Sequence, residues 1–169
     1  MIKFLDILRE AKQVGPLYHF TSYGSMAKIV DEDLTLDPKI QYKRSSYLSF
    51  TRNKHMKSSS ISSNVRITID GDKLSEKYKI EPYADTKAGY GRNSSDESEE
   101  RIYVRDLPNG VNISKALISI DILDINQTIG YNVDDDFEEE YGAPMLSDYN
   151  NLIRLLKLKN IPYNIVKKY

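Results

Sequence analysis

The segment Val65-Arg-Ile-Thr-Ile69 alternates apolar and polar side chains without a break. A period of two sets Val65, Ile67 and Ile69 on one face of an extended strand and Arg66 and Thr68 on the other, so the segment demands a sheet with one buried face. Ser46-Tyr-Leu-Ser-Phe-Thr51 repeats the pattern, with Leu48 and Phe50 on one side and Tyr47, Ser49 and Thr51 on the other. Asp96-Glu-Ser-Glu-Glu-Arg-Ile-Tyr-Val104 leads from acidic residues into a third strand, in which Ile102 and Val104 share a face with Glu100 while Glu99 points the other way.

Helical spacing fills the gaps between these strands. Phe4, Leu5, Leu8 and Ala11 make one face of an N-terminal helix from Ile2 to Gln13 that ends at Val14-Gly15-Pro16. A strand is expected from Leu17 to Phe20. Ser22 or Ser25 then caps a helix whose Met26, Ile29 and Val30 form the apolar face and which stops near Asp33-Leu34. Asp70-Gly71 reads as a turn, followed by a short helix from Lys73 to Tyr78. Leu117 to Ile122 is a strongly apolar strand. Ser147 is placed as the cap of a helix carrying Leu152, Ile153, Leu155 and Leu156 to Asn160, and Pro162 leads into a last strand, Tyr163 to Val166. The stretches 83–98 and 134–140 are polar and are expected to be loops, and the serine-rich stretch 52–64 reads as a loop or a helix.

This order is an α+β pattern around a largely antiparallel sheet. The chain has 169 residues and is 40% hydrophobic, enough for one domain with a real core. That domain divides into an N-terminal helix (1–15), a core (16–125) and a tail of acidic loop, helix and last strand (126–169). No cysteine is present, which removes disulfides, thiolate metal sites and cysteine nucleophiles. No apolar run approaches the roughly 18 residues of a membrane helix, and charges interrupt the N-terminus, so a soluble cytosolic protein with no membrane partner is expected. Charge is segregated: residues 1–92 carry 16 Lys/Arg against 11 Asp/Glu, and residues 93–169 carry 8 against 14. Thirteen tyrosines and no tryptophan, with abundant Ile, Lys and Asn, suit a gene of low GC content such as many phage genes.

Two places carry chemistry. His19 lies inside the short apolar run Pro16-Leu-Tyr-His-Phe-Thr-Ser22, where an imidazole is either a hydrogen-bonded core residue or a catalyst. Glu99 and Glu100 open a strand, and a carboxylate on its buried side costs several kcal/mol unless it is partnered or used. Other chemistries lack their parts. His19 and His55 have no HExxH spacing, so no metal is expected; GxGxxG and GxxxxGK are absent; and a phosphoesterase's second His-x-Thr/Ser fails because Met56 and Lys57 follow His55.

The order of these features resembles the ADP-ribosyltransferases. The matching pieces are Leu17-Tyr-His-Phe-Thr21, Tyr47-Leu-Ser-Phe-Thr51 and Glu97-Ser-Glu-Glu-Arg-Ile102, over about residues 16 to 125. The resemblance implies a split antiparallel sheet gripping NAD, used as substrate, in an extended cleft. His19 would hydrogen-bond the nicotinamide ribose, and the backbone at Phe20 and Thr21 would hold the carboxamide. Tyr47, or another aromatic such as Tyr42, would stack on nicotinamide. Ser49 and Thr51 would support the catalytic glutamate, and Arg52 would pair with the NAD phosphates. The family's glutamate directly precedes the aliphatic strand residues, whereas Arg101 intervenes here; Glu99 and Glu100 compete for the role, with Glu100 favoured by its strand face. Tyr90 and Arg92, in the preceding loop, would contact a protein or nucleic-acid acceptor of ADP-ribose.

Two other functions fit the same residues. One is an inactive relative of that fold, used by a phage as a nucleotide-binding or anti-defence module. The other is a nuclease or nucleic-acid-binding protein that uses the basic N-terminal half, Arg44 and Lys54 included.

Overall fold

Strand pairing organises the computed structural model, which describes residues 14–37, 47–55, 64–82, 99–103, 109–126 and 143–168. The elements run in the order β1 (Pro16–Thr21), α1 (Tyr23–Asp31), β2 (Thr35–Leu36), β3 (Tyr47–Thr51), β4 (Val65–Asp70), α2 (Gly71–Ser75), β5 (Glu81–Pro82), β6 (Glu99–Tyr103), β7 (Val111–Asn112), β8 (Leu117–Leu123), α3 (Ala143–Leu158) and β9 (Asn164–Val166). The N-terminal helix expected over 2–13, the aromatic Tyr42, the acceptor-loop residues Tyr90 and Arg92, and the acidic segment 134–140 lie outside the described residues.

Seven strands form one sheet in the order β5-β6-β3-β1-β4-β8-β9, and β2 with β7 forms a separate two-stranded ribbon. All pairings are antiparallel except β8 with β9. The protein is therefore α+β with a mostly antiparallel sheet, as the strand patterns require.

Alternation decides which face is buried. Leu17 of β1, Val65, Ile67 and Ile69 of β4, and Ile120 and Ile122 of β8 are all fully buried and share one side through the register. Their cluster includes Tyr23, Met26 and Val30 of α1 and Leu152, Leu155 and Leu156 of α3. Each such side chain contributes roughly 1.5–3 kcal/mol on leaving water. The two helices lie against one another: the Tyr23 ring meets the Tyr149 ring edge-on at 5.2 Å, and its hydroxyl donates to the Leu123 carbonyl at 2.7 Å. The opposite side of β4 carries Arg66, Thr68 and Asp70, all half-exposed.

Capping matches the sequence at α1, where Ser22 is the N-cap and accepts from the Ser25 amide. It differs at two other helices. Asp70-Gly71, expected as a turn before a helix from Lys73, starts the helix itself: Asp70 caps α2 by accepting from the Lys73 amide, and Gly71 is the first helical residue. Gly71 is needed there because a Cβ would run into the backbone carbonyl of Gly15. α3 begins at Ala143, so Ser147 lies inside the helix rather than at its cap.

Candidate functional site

The two flanks of β1 differ sharply. Toward β4 every residue from Pro16 to Thr21 has a partner, from Asp70 to Val65, whereas toward β3 the register holds a single pair, Tyr18 opposite Thr51. β3 is in turn matched along its whole length by β6. The sheet thus consists of two well-paired halves joined at Tyr18 and Thr51. Beyond that joint a side chain replaces the ladder: His19 Nδ1 lies 3.0 Å from the Ser49 carbonyl oxygen.

One step along both strands from the joint brings His19 level with Phe50, and Phe50 stands opposite Glu100. The His19 and Phe50 rings confirm the level, with centroids 5.8 Å apart. His19, Phe50 and Glu100 therefore form a row across three strands on one face. With strands about 4.8 Å apart, the two outer Cα positions are roughly 10 Å from each other.

The chemistry of the outer two follows from their surroundings. A carbonyl only accepts, so His19 Nδ1 carries the proton and Nε2 presents a lone pair. Burial pushes the His19 imidazole below its ordinary range, and the bond to Ser49 opposes that shift without cancelling it. His19 is a neutral acceptor at neutral pH. Glu100 is only 4% exposed. Its Oε1 accepts from Arg52 Nε at 2.8 Å and is ion-paired with Arg52 Nη2 at 2.8 Å, while no described residue donates to Oε2. Arg52 follows Phe50 by two residues and so keeps to the same face, within diagonal reach of Glu100.

The register also separates residues that the sequence groups together. Tyr47, Ser49 and Thr51 of β3, and Phe20 of β1, belong to the face opposite His19 and Glu100. The Tyr47 ring is already covered by the Arg101 guanidinium at 3.9 Å. The Thr51 hydroxyl accepts from the Asn53 amide, and Ser49 serves His19 through its carbonyl. Ser49 and Thr51 thus lie across the sheet from Glu100, whose carboxylate is paired with Arg52. Thr21 shares the face of His19, one row further along. Glu99 lies opposite Thr51 in the register.

Arg52 had a detectable signal, since Leu48, Phe50 and Arg52 are successive same-face positions. Its pairing needed the β3/β6 register, which no local pattern contains. Beside it an open recess of about 530 Å³ is lined by Val14, Gly15, Pro16, Tyr18, Arg52 and Asp72.

Among the described residues no group of three His, Asp or Glu could hold a metal ion. No described helix is long and apolar enough to cross a membrane. No protein-family model, curated protein or solved structure matches the chain.

Proposed function

We propose that the chain is an NAD-dependent ADP-ribosyltransferase whose reaction takes place where β1 and β3 part. The observation carrying this reading is the row His19–Phe50–Glu100: a neutral imidazole acceptor and a buried carboxylate share one face across the joint where β1 and β3 hold a single register pair.

In this reading the nicotinamide ribose is bound by His19 and Glu100. His19 Nε2 accepts a hydrogen bond from a ribose hydroxyl, and Glu100 Oε2 accepts from the 2′-hydroxyl. The bond between C1′ and the nicotinamide nitrogen breaks, its electron pair stays with nicotinamide, and the pyridinium charge passes to an oxocarbenium-like ribose. A fixed carboxylate in a site with little water stabilises that charge. An acceptor nucleophile on a protein or nucleic acid then bonds to C1′ and loses its proton to solvent.

The nucleic-acid reading gains nothing from the described arginines of the basic half. Arg52 is paired with Glu100, and Arg66 with Asp121 at 2.8 Å. Incubating the chain with NAD labelled on adenine and with bacterial lysate tests the proposal. Released nicotinamide and a labelled macromolecule are expected. NAD binding without release would favour an inactive nucleotide-binding module, and salt-sensitive binding of RNA or DNA without NAD binding would favour the nucleic-acid reading.

A further inference from the structure

Arg52 stands in an unusual position for a surface arginine. Its side chain is 41% exposed, yet two of its nitrogens close on one oxygen of a carboxylate that is 6% exposed. That geometry orients the Glu100 carboxylate, because Oε1 faces one edge of the guanidinium while Oε2 has no donor among the described residues. Among the described residues no other hydrogen bond or ion pair holds the Glu100 carboxylate.

We infer, resting on the transferase reading above, that Arg52 is the positioning residue for Glu100: it holds Oε1 so that Oε2 alone is offered to the ribose 2′-hydroxyl. This assigns Arg52 a role other than contact with the NAD phosphates. A guanidinium already holding Glu100 acts on the substrate through that carboxylate. Lysine is a poor substitute, since a single ammonium lacks the planar Nε/Nη2 edge that faces Oε1.

The test combines Arg52→Gln, Arg52→Lys, Glu100→Gln and the double variant R52Q/E100Q, with nicotinamide release, NAD calorimetry and melting temperature measured for each. Arg52→Gln is expected to lower kcat about 100-fold, the cost of a small misplacement of a reacting group, while leaving KM unchanged. Arg52→Lys should recover part of that loss. In the E100Q background, adding Arg52→Gln should leave NAD affinity where E100Q alone puts it, because Arg52 acts through the carboxylate. The neutral double variant removes the buried unpaired charge, so this arm remains readable if Arg52→Gln alone fails to fold.

A wild-type kcat in Arg52→Gln overturns the inference and leaves the roles of His19 and Glu100 standing. So does a rise in KM alone, or a further loss of NAD affinity on adding Arg52→Gln to E100Q, either of which would mean that Arg52 touches NAD directly. A wild-type protein that releases no nicotinamide with any acceptor overturns the transferase reading itself, and this inference with it.

Discussion

His19 Nδ1 donates to the Ser49 carbonyl at 3.0 Å across the line where two halves of the sheet separate. The bond does three things at once. It bridges a place where β1 and β3 have no continuing backbone ladder, it fixes the imidazole tautomer, and it leaves Nε2 to accept from a ligand.

Ser49 acts on His19 through its backbone, and its side chain belongs to the other face of the sheet. Ser49→Ala is therefore expected to keep nicotinamide release close to wild type, whereas Glu100→Gln loses it. A Ser49→Ala protein that folds normally but has lost turnover would show that the hydroxyl reaches the site.

His19 gives the fold a definite pH dependence. Its folded pKa lies below the unfolded value of 6.5. Above pH 6.5 both states are neutral and the stability is present in full. As pH falls through 6.5 the unfolded chain takes up a proton that the folded chain refuses, so stability drops until the folded value is reached. The slope of this contribution is at most about 1.4 kcal/mol per pH unit. Urea midpoints between pH 8 and 5.5 should fall more steeply for the wild type than for His19→Gln; parallel curves would contradict this origin.

The other buried ion pair has a structural consequence. Arg66 Nη2 and Nε reach Asp121 Oδ2, and Asn164 donates to Asp121 Oδ1 at 2.9 Å, tying β4, β8 and β9 together. Removing one partner from a buried pair costs roughly 3–5 kcal/mol. Asp121→Leu should destabilise the protein on that scale by urea unfolding, and Arg66→Met/Asp121→Leu should recover much of the loss. Equal losses in the single and double variants would show that packing, not charge, dominates there.

Gly71 is held by space rather than by conformation. A methyl group there meets the Gly15 carbonyl and the Val14 side chain, and Gly15 leads directly into β1. Gly71→Ala is expected to cost about 1–3 kcal/mol, the usual cost of overpacking. Gly24→Ala, which meets only the end of the Asp148 side chain, should cost less. The reverse order of melting temperatures would refute this.

Much of this architecture is legible in residue order. Alternation in Val65 to Ile69 and in Tyr47 to Thr51 gives the strands and their buried faces, and the shared face of Glu100 and Ile102 follows from the same period. What local pattern does not contain is register. The two-residue strands β2, β5 and β7 are too short for any periodicity. Asp70 caps α2 through its own side chain, and α3 starts four residues before Ser147. Motif order in turn grouped Ser49 and Thr51 with His19, although adjacent strands place them on opposite faces. Arg52 became the partner of Glu100 only once β3 and β6 were aligned.

The most direct measurement is nicotinamide release from NAD by wild type, His19→Ala and Glu100→Gln, with the fold of each checked by circular dichroism and melting temperature. Release by wild type and its loss in both folded variants is the expected result. Full release in both variants would contradict the proposed site, and variants that fail to fold would identify His19 and Glu100 as parts of the core instead.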